Sequence, residues 1–464
     1  MDEAILYART GVIYGSRPRM VRFVFFLLCI SFPCFGRDQY CLDHAIVSIY
    51  ALDTRTNKVL VSKNSHLSLV PASCMKLVTT AAALSILGEK NRFATYLEYE
   101  GEIDSNHVLQ GNLYVRGTGD PSLGSDRIIG TLSWQKQIEE WTDAIIQLGI
   151  REIEGKVVGD ATHWEKALAG SSWSWEDLGN YYGAGACALS FHENYYSLIF
   201  QPGKQISSGA LIVRTDPPVD RLILQNEVLT GKEGSGDCAC IYGSEFSWIQ
   251  WVRGTIPLGV ESFAIKGAIP DPALFAADLL TKGLKEKNMS VKNRSLQPMS
   301  KRQTFHTTYS PTIAEIVHWT NQKSINLYAE HLLKKMGEEM EQKGSTSAGI
   351  QAVKNFWLSH NIDLEGFQMA DGCGLSRKNL ITASQLVQML IEMKTSAFFP
   401  VFLGSLPNIS PTIRAKSGSM SLVKAYAGYA GPIVFAILVN QCTNAQKMKQ
   451  MFDRFFLQLE EWQQ

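Results

Sequence analysis

An excess of charge of either sign is what this sequence most plainly lacks. Lys plus Arg and Asp plus Glu number 44 each, so the formal net charge is zero. No block of basic residues stands out, and nothing here asks for nucleic acid or an anionic membrane surface as partner. Metal-ligand spacing is missing as well. Cys238-Ala239-Cys240, in "GKEGSGDCACIYGS", has no histidine nearby and does not match a zinc knuckle. The N-terminal apolar stretch Phe23–Phe35 is too short for a comfortable bilayer span, and no Leu-Ala-Gly-Cys type lipobox accompanies it.

What is present describes a globular, exported protein. Hydrophobic residues make up 45% and charged residues 19% of the 464, ample for a core. At roughly 150 residues per domain the length suggests about three units or one elaborated domain. Arg17, Arg19 and Arg22 flank the apolar stretch, and Gly36 offers a small residue for cleavage. Residues 1–36 therefore read as a signal peptide, with Met20 as an alternative start and a retained anchor as the competing reading. Seven cysteines follow Gly36, an odd number that leaves at least one free thiol or an intermolecular link.

Along the chain, "HAIVSIYALDTRTNKVLVSKNSH" (44–66) reads as two strands around a turn. From about 91 to 269 short β-type runs alternate with Gly/Asp turns. Within that segment the aromatic, glycine-rich stretch Trp173–Gly203 suits either a cleft rim or a core. Helical patterns return at Pro270–Met289, with Asp271 as N-cap and Pro272 in the first turn. Two strand-like runs follow near the end. In the last segment Met448, Met451, Phe452, Phe455, Phe456 and Leu459 form one apolar helix face. Its basic residues are offset by acidic ones, which favours docking on a sheet over a membrane surface.

"VPASCMKLVTTAAALSIL" (70–87) sets a lone lysine in an apolar helix. Ser73 and Lys76 are three apart and share a face. A lysine shielded from water loses its proton more readily and can serve a serine nucleophile as base. Ser-x-x-Lys alone is a weak signal. It gains weight from Ser324-Ile325-Asn326 and Lys416-Ser417-Gly418 downstream, because S-x-x-K, S-x-N and K-[ST]-G in that order mark the serine penicillin-recognising enzymes. Asn326 offers an amide to orient a peptide, Lys416 and Ser417 suit a free carboxylate, and Gly418 admits close approach to the strand edge. The Ser73 and Ser419 N–H groups can form an oxyanion hole.

From about Asp43 to its end the chain resembles the low-molecular-mass class C penicillin-binding proteins, the D-alanyl-D-alanine carboxypeptidase/endopeptidase family. "AIVSIYALDTRTNKVLVSKNS", "LYVRGTGDPSL", "ACALSFHEN", "NQKSINLYAEHLL" and "ADGCGLSRKNLIT" carry the resemblance beyond the three motifs. It implies an α/β (α+β) serine transpeptidase/β-lactamase-like domain, discontinuous over 37–90 and 270–464, with a β-rich insertion of two domains over 91–269. Ser73, Lys76 and Ser324 are then the expected catalytic residues. Asn326, Lys416, Ser417, Gly418 and Ser419 are the expected substrate-binding residues, with no metal and no cofactor. The implied substrates are peptidoglycan stem peptides and the implied covalent inhibitors β-lactams, in the periplasm. Peripheral membrane or cell-wall association stays open, as does the choice between carboxypeptidase and endopeptidase.

Three features depart from the family pattern. K-T-G is K-S-G, which keeps the hydroxyl. D-G-S-G is Asp371-Gly372-Cys373-Gly374. Cys74 lies between Ser73 and Lys76, and pairing of Cys74 with Cys373 across the cleft is one reading of the two thiols. In addition, the segment Phe398–Thr412 looks short. Asp120 and the Asp371 loop read as structural, and His192, His318 and His331 are assigned no catalysis. Two competing functions remain. A serine β-lactamase would place its first two motifs close together, whereas here about 250 residues intervene; a degenerate cell-wall scaffold would not need every motif residue intact.

Overall fold

The computed structural model describes residue 40, residues 42–296 and residues 301–463; the segment read as a signal peptide lies outside them. Near the C-terminus, Ile433–Asn440 is buried at every position, the mark of a strand covered on both faces. It belongs to a five-stranded sheet built from β1 (Ile46–Asp53), β2 (Lys58–Lys63), β3 (Ile413–Met420), β4 (Val423–Ala430) and β5 (Ile433–Asn440). The spatial order is β3-β4-β5-β1-β2 and every neighbouring pair is antiparallel. Ile46 pairs with Asn440, so the first strand of the fold is locked to the last.

Helices cover both faces. On one side lie α1 (Met75–Leu87), α2 (Ile313–Gln322), α3 (Asn326–Glu341), α4 (Thr346–Ser359), α5 (Ala383–Thr395) and the short α6 (Phe399–Ser405). Their core cluster includes Val434, Ala436 and Leu438, the alternate residues of β5. Phe435 points the other way, where α7 (Ala445–Glu461) places Phe455 at a ring distance of 5.6 Å. The α7 face read from the sequence is thus docked on the sheet, with Met451, Phe452, Phe455 and Leu459 buried. α1 is buried nearly all round because it fills the centre of the helical layer, packed against α2, α3 and α4.

The inserted segment leaves after α1 and returns beside its own point of departure. Strand Ala94–Glu100 pairs antiparallel with Arg302–Tyr309, Ala94 opposite Tyr309. The helix α2 that follows is tied back to the exit, Ile313 N–H donating to Asn91 O at 2.9 Å and Ala314 N–H to Glu89 O at 3.0 Å. Among the described residues the insertion carries two four-stranded and two three-stranded sheets, the β-rich body expected. The boundary drawn at 269/270 moves, however. Helix Pro272–Glu286 has the predicted Asp271 cap, accepting from Leu274 N–H at 3.0 Å. Yet its Phe275, Ala276, Leu279, Leu280 and Leu284 sit in the insertion's own apolar cluster. The chain rejoins the α/β domain only after Tyr309.

If α7 is held by its aromatic face, Phe455→Ala should lower unfolding free energy by about 3–5 kcal/mol. Leu457→Ala on the outer face, where Leu457 is 61% exposed, should stay within about 0.5 kcal/mol. Urea unfolding of both variants measures the difference; equal effects would show that the helix is not docked as described.

Candidate active site

Pro71-Ala72-Ser73 turns the chain from an extended segment into α1 through a single 3-10 turn over Ala72–Cys74. This sets Ser73 at the mouth of the helix and Lys76 one turn inside it. Lys76 is 0% exposed. Its Nζ donates to three oxygens: Ser73 Oγ at 3.1 Å, Asn326 Oδ1 at 2.7 Å and the Cys373 carbonyl at 2.6 Å. Burial pushes its pKa below the ordinary lysine value, against the opposing pull of Cys373, Asp371 and Glu330. Loss of one proton leaves a lone pair facing Ser73 Oγ, the geometry of a general base and its nucleophile.

The second motif comes from the turn between α2 and α3. Ser324 is held in the left-handed region at φ 57°, a conformation that a non-glycine residue adopts at a cost of order 1–3 kcal/mol and that clusters at functional sites. Asn326 opens α3 and divides its amide between two partners. Its oxygen accepts from Lys76, and its Nδ2 donates to the Tyr182 carbonyl at 2.8 Å. Tyr182 lies in the inserted segment, so the α/β domain and the insertion meet at this amide.

The third motif lies on β3, whose free edge runs past Ser73. A Cβ on Gly418 would stand 2.4 Å from Pro71 O and 3.0 Å from Ser73 N, so only glycine allows the strand this close. Cys74 is buried and its Sγ–H donates to Lys416 O at 3.3 Å, tying the head of α1 to β3. That position answers the oddity of a cysteine between Ser73 and Lys76, since it fills a buried joint. Burial pushes its thiol up to about 12. Lys416 is 2% exposed, and its Nζ donates to the Ser417 carbonyl at 2.7 Å. Burial and then the charge of Lys76 hold its pKa down at about 7. The Lys76 charge nearby is thus a second reason, after burial, for Lys416 to give up its proton.

A loop and a glutamate frame these groups. Glu330, one turn after Asn326 on α3, accepts the N–H of Gly372 at 2.8 Å and of Cys373 at 2.7 Å through one oxygen. Those two bonds aim the Cys373 carbonyl at Lys76. Asp371 accepts from Gly374 N–H, Ser376 N–H, Asn379 Nδ2 and Trp173 Nε1 at 2.6–2.9 Å. It organises the loop, in keeping with the structural role read for it. Asp120 likewise serves a turn, accepting the N–H and the hydroxyl of Ser122. His331 is fully buried between Ser190 and Gly119 O, which leaves it no surface role.

Ser73, Ser324, Asn326 and Ser419 line one cleft of about 440 Å³. Lys76 lies beneath it. Lys416 and Ser417 are next to it on β3 but are not among its lining residues. The opposite wall belongs to the insertion, where Ser172, Glu176, Asp177 and Tyr182 face Arg377. Sequence reading flagged the aromatic stretch around Tyr182 as a rim or core, and missed Glu330 and the backbone of Cys373. Nothing in a lone Glu in "NLYAEHLL" marks it, although its i+4 spacing from Asn326 puts it on the same helix face.

The residues that meet in the cleft come from a chain matched over residues 37–458 by the D-Ala-D-Ala carboxypeptidase 3 (S13) family. The chain belongs to this family. Membership makes it a serine-type D-Ala-D-Ala carboxypeptidase, a penicillin-binding protein of low-molecular-mass class C. Relatives include the D-alanyl-D-alanine carboxypeptidase of Actinomadura sp., 26% identical over 87% of this chain and 79% of the relative. The D-alanyl-D-alanine carboxypeptidase DacB of Haemophilus influenzae is 24% identical over 93% and 91%. The crystal structure of penicillin binding protein 4 (dacB) from Haemophilus influenzae superposes with a TM-score of 0.76 at 20% identity, covering 91% of this chain and 98% of that one. That likeness speaks for the fold.

Glu330 can be tested through the loop it holds. Its carboxyl is raised to about 7, by burial first and Asp371 second, above the ordinary value near 4.5. The folded state therefore binds the extra proton between those pH values, and the stability it contributes is lost as pH rises from about 4.5 to about 7. Glu330→Gln, which keeps an acceptor oxygen, should remove that pH dependence. Glu330→Ala should cost about 3 kcal/mol by leaving two buried N–H groups unpaired. Thermal unfolding from pH 4 to 8 reads both, and an unaltered pH slope in the glutamine variant would contradict the assignment.

Proposed function

We propose that this is an exported serine D-Ala-D-Ala carboxypeptidase and/or endopeptidase that trims or opens peptidoglycan stem peptides through an acyl-enzyme on Ser73. The observation that carries this reading is the buried Lys76, bonded at once to Ser73 and Asn326. Neutral Lys76 takes the Ser73 proton as Oγ attacks the carbonyl. The oxyanion rests on the N–H groups of Ser73 and Ser419, a pairing supported by the close passage of β3 over Ser73 N. The C–N bond then breaks and Ser324 passes a proton to the leaving nitrogen. Asn326 orients the acyl peptide, and Lys416 with Ser417, brought next to the cleft by Gly418, receives the terminal carboxylate. Water attacks the ester and restores Ser73.

β-Lactams present the same carbonyl and leave no departing group, so they stall as acyl-enzymes. A solved relative, penicillin binding protein 4 from Haemophilus influenzae, is described in complex with a β-lactam. The β-lactamase alternative needs fast deacylation, and the sequence carries no compelling Glu-x-x-Leu-Asn motif for it.

Purified protein should be labelled stoichiometrically by a fluorescent penicillin, and Ser73→Ala should abolish the label; persistent labelling would remove Ser73 from its role. Nitrocefin should not turn over. For a peptide ending in a carboxylate, kcat/KM should fall as pH rises above about 7, where Lys416 loses its ammonium. Lys416→Arg should shift that limb upward whatever its effect on the maximum, because a guanidinium stays charged. An unshifted limb would assign the titration to another group.

A further inference from the structure

A second groove of about 460 Å³ opens off the catalytic cleft and shares Tyr182, Ser324 and Asn326 with it. No part of the mechanism above uses it. Its walls carry Arg127, Lys266 and Lys323. Arg127 is already engaged with Glu193, Nε to Oε1 at 2.7 Å and Nη2 to Oε2 at 2.8 Å. Ser125 and Tyr328 complete the partners of that carboxylate. Lys266 and Lys323 differ. Among the described residues neither ammonium group has a carboxylate or hydrogen-bond partner. The Lys266 ammonium instead lies over the Tyr195 ring at 4.6 Å and near the Tyr181 ring at 5.8 Å. Its pKa is lowered by partial burial and then by the Arg127 charge, with Glu193, already paired to Arg127, opposing the shift only in part. Asp237 is the groove's remaining carboxylate, one against two free ammonium groups.

We propose that this groove binds the free carboxylates of the leaving peptide when the substrate is a cross-link between two stems, with Lys266 and Lys323 as the recognising cations. The proposal rests on the reading of Ser324 as proton donor to the leaving nitrogen, because the departing chain then starts at the residue where the two grooves join. A single departing D-alanine has only its nitrogen at that junction, with its carboxylate on Lys416 and Ser417, and extends no further. A second stem peptide continues beyond it, carries several carboxylates, and can lie on Tyr181, 52% exposed at the rim. Lys266 and Lys323 are thus specificity residues for cross-link opening, outside the chemistry itself.

The test compares a defined cross-linked muropeptide dimer with an uncross-linked pentapeptide. Lys266→Ala and Lys323→Ala, each verified as folded by acylation with a fluorescent penicillin, should lower the ratio of dimer to pentapeptide kcat/KM by about tenfold each. Lys266→Arg should restore most of the ratio, and added salt should lower it in the wild type more than in Lys266→Ala. An unchanged ratio, or a parallel fall for both substrates, overturns the proposal. Binding separates it from the catalytic reading. The dimer should bind Ser73→Ala about tenfold more tightly than it binds Ser73→Ala/Lys266→Ala in calorimetry, whether or not the wild type proves to be the hydrolase proposed. Equal affinities would refute the groove even in an active enzyme.

Discussion

A lysine ammonium with no access to water is the constraint from which the site follows. Lys76 cannot be buried alone, because an unpaired charge in a dry interior costs several kcal/mol. Its three acceptors come from three distant places in the chain: Ser73 three residues away, Asn326 250 away and the Cys373 carbonyl 297 away. Folding must therefore complete α1, the α2–α3 turn and the 371–374 loop together before the charge is tolerable. Among the described residues no carboxylate bonds directly to the ammonium; its contacts are a hydroxyl and two amide oxygens. Neutral acceptors hold the proton less firmly than a salt bridge would, which keeps the amine within reach of its base form.

The large insertion contributes to the same centre. It leaves and rejoins the α/β domain through paired strands, so its length does not separate Ser73 from Asn326 in space. It also returns contacts: the Tyr182 carbonyl holds the Asn326 amide, Trp173 Nε1 bonds Asp371, and Ser172 Oγ meets Ser376 Oγ at 2.6 Å. The far wall of the cleft and the orientation of two motif groups thus depend on residues between the first and second motifs. Changes in the insertion can alter which peptides fit without touching Ser73 or Lys76.

Much of this was legible in the sequence, and the illegible parts share a cause. Ser73, Lys76, Ser324, Asn326 and Lys416-Ser417-Gly418 were visible because side-chain chemistry at fixed spacing leaves a local pattern. The hairpin 46–63 and the docked α7 were visible because their apolar periods are clean. The return of the chain after Tyr309 was not. Helix Pro272–Glu286 has a good cap and an apolar face, and neither reveals which core receives that face. The turn of the Lys416 ammonium toward Ser417 O also depends on three-dimensional packing. So does the role of Glu330, whose partners are backbone N–H groups 42 and 43 residues away.

The two cysteines near the site show the same distinction between side chain and backbone. Cys74 and Cys373 are both fully buried and both free. Burial raises both thiols above their ordinary value, so neither offers the exposed thiolate that ready oxidation requires. Cys74 works by packing and by its contact with β3. Cys373 works through its peptide group, with N–H on Glu330 and C=O on Lys76. A loop whose task is to present a carbonyl can exchange one small side chain for another if the backbone stays fixed. Glu330, Asp371 and Asn379 fix it. The cysteine in Asp-Gly-Cys-Gly is therefore compatible with an intact carbonyl contact to Lys76, and the residues that guard that contact are Glu330, Asp371 and Asn379.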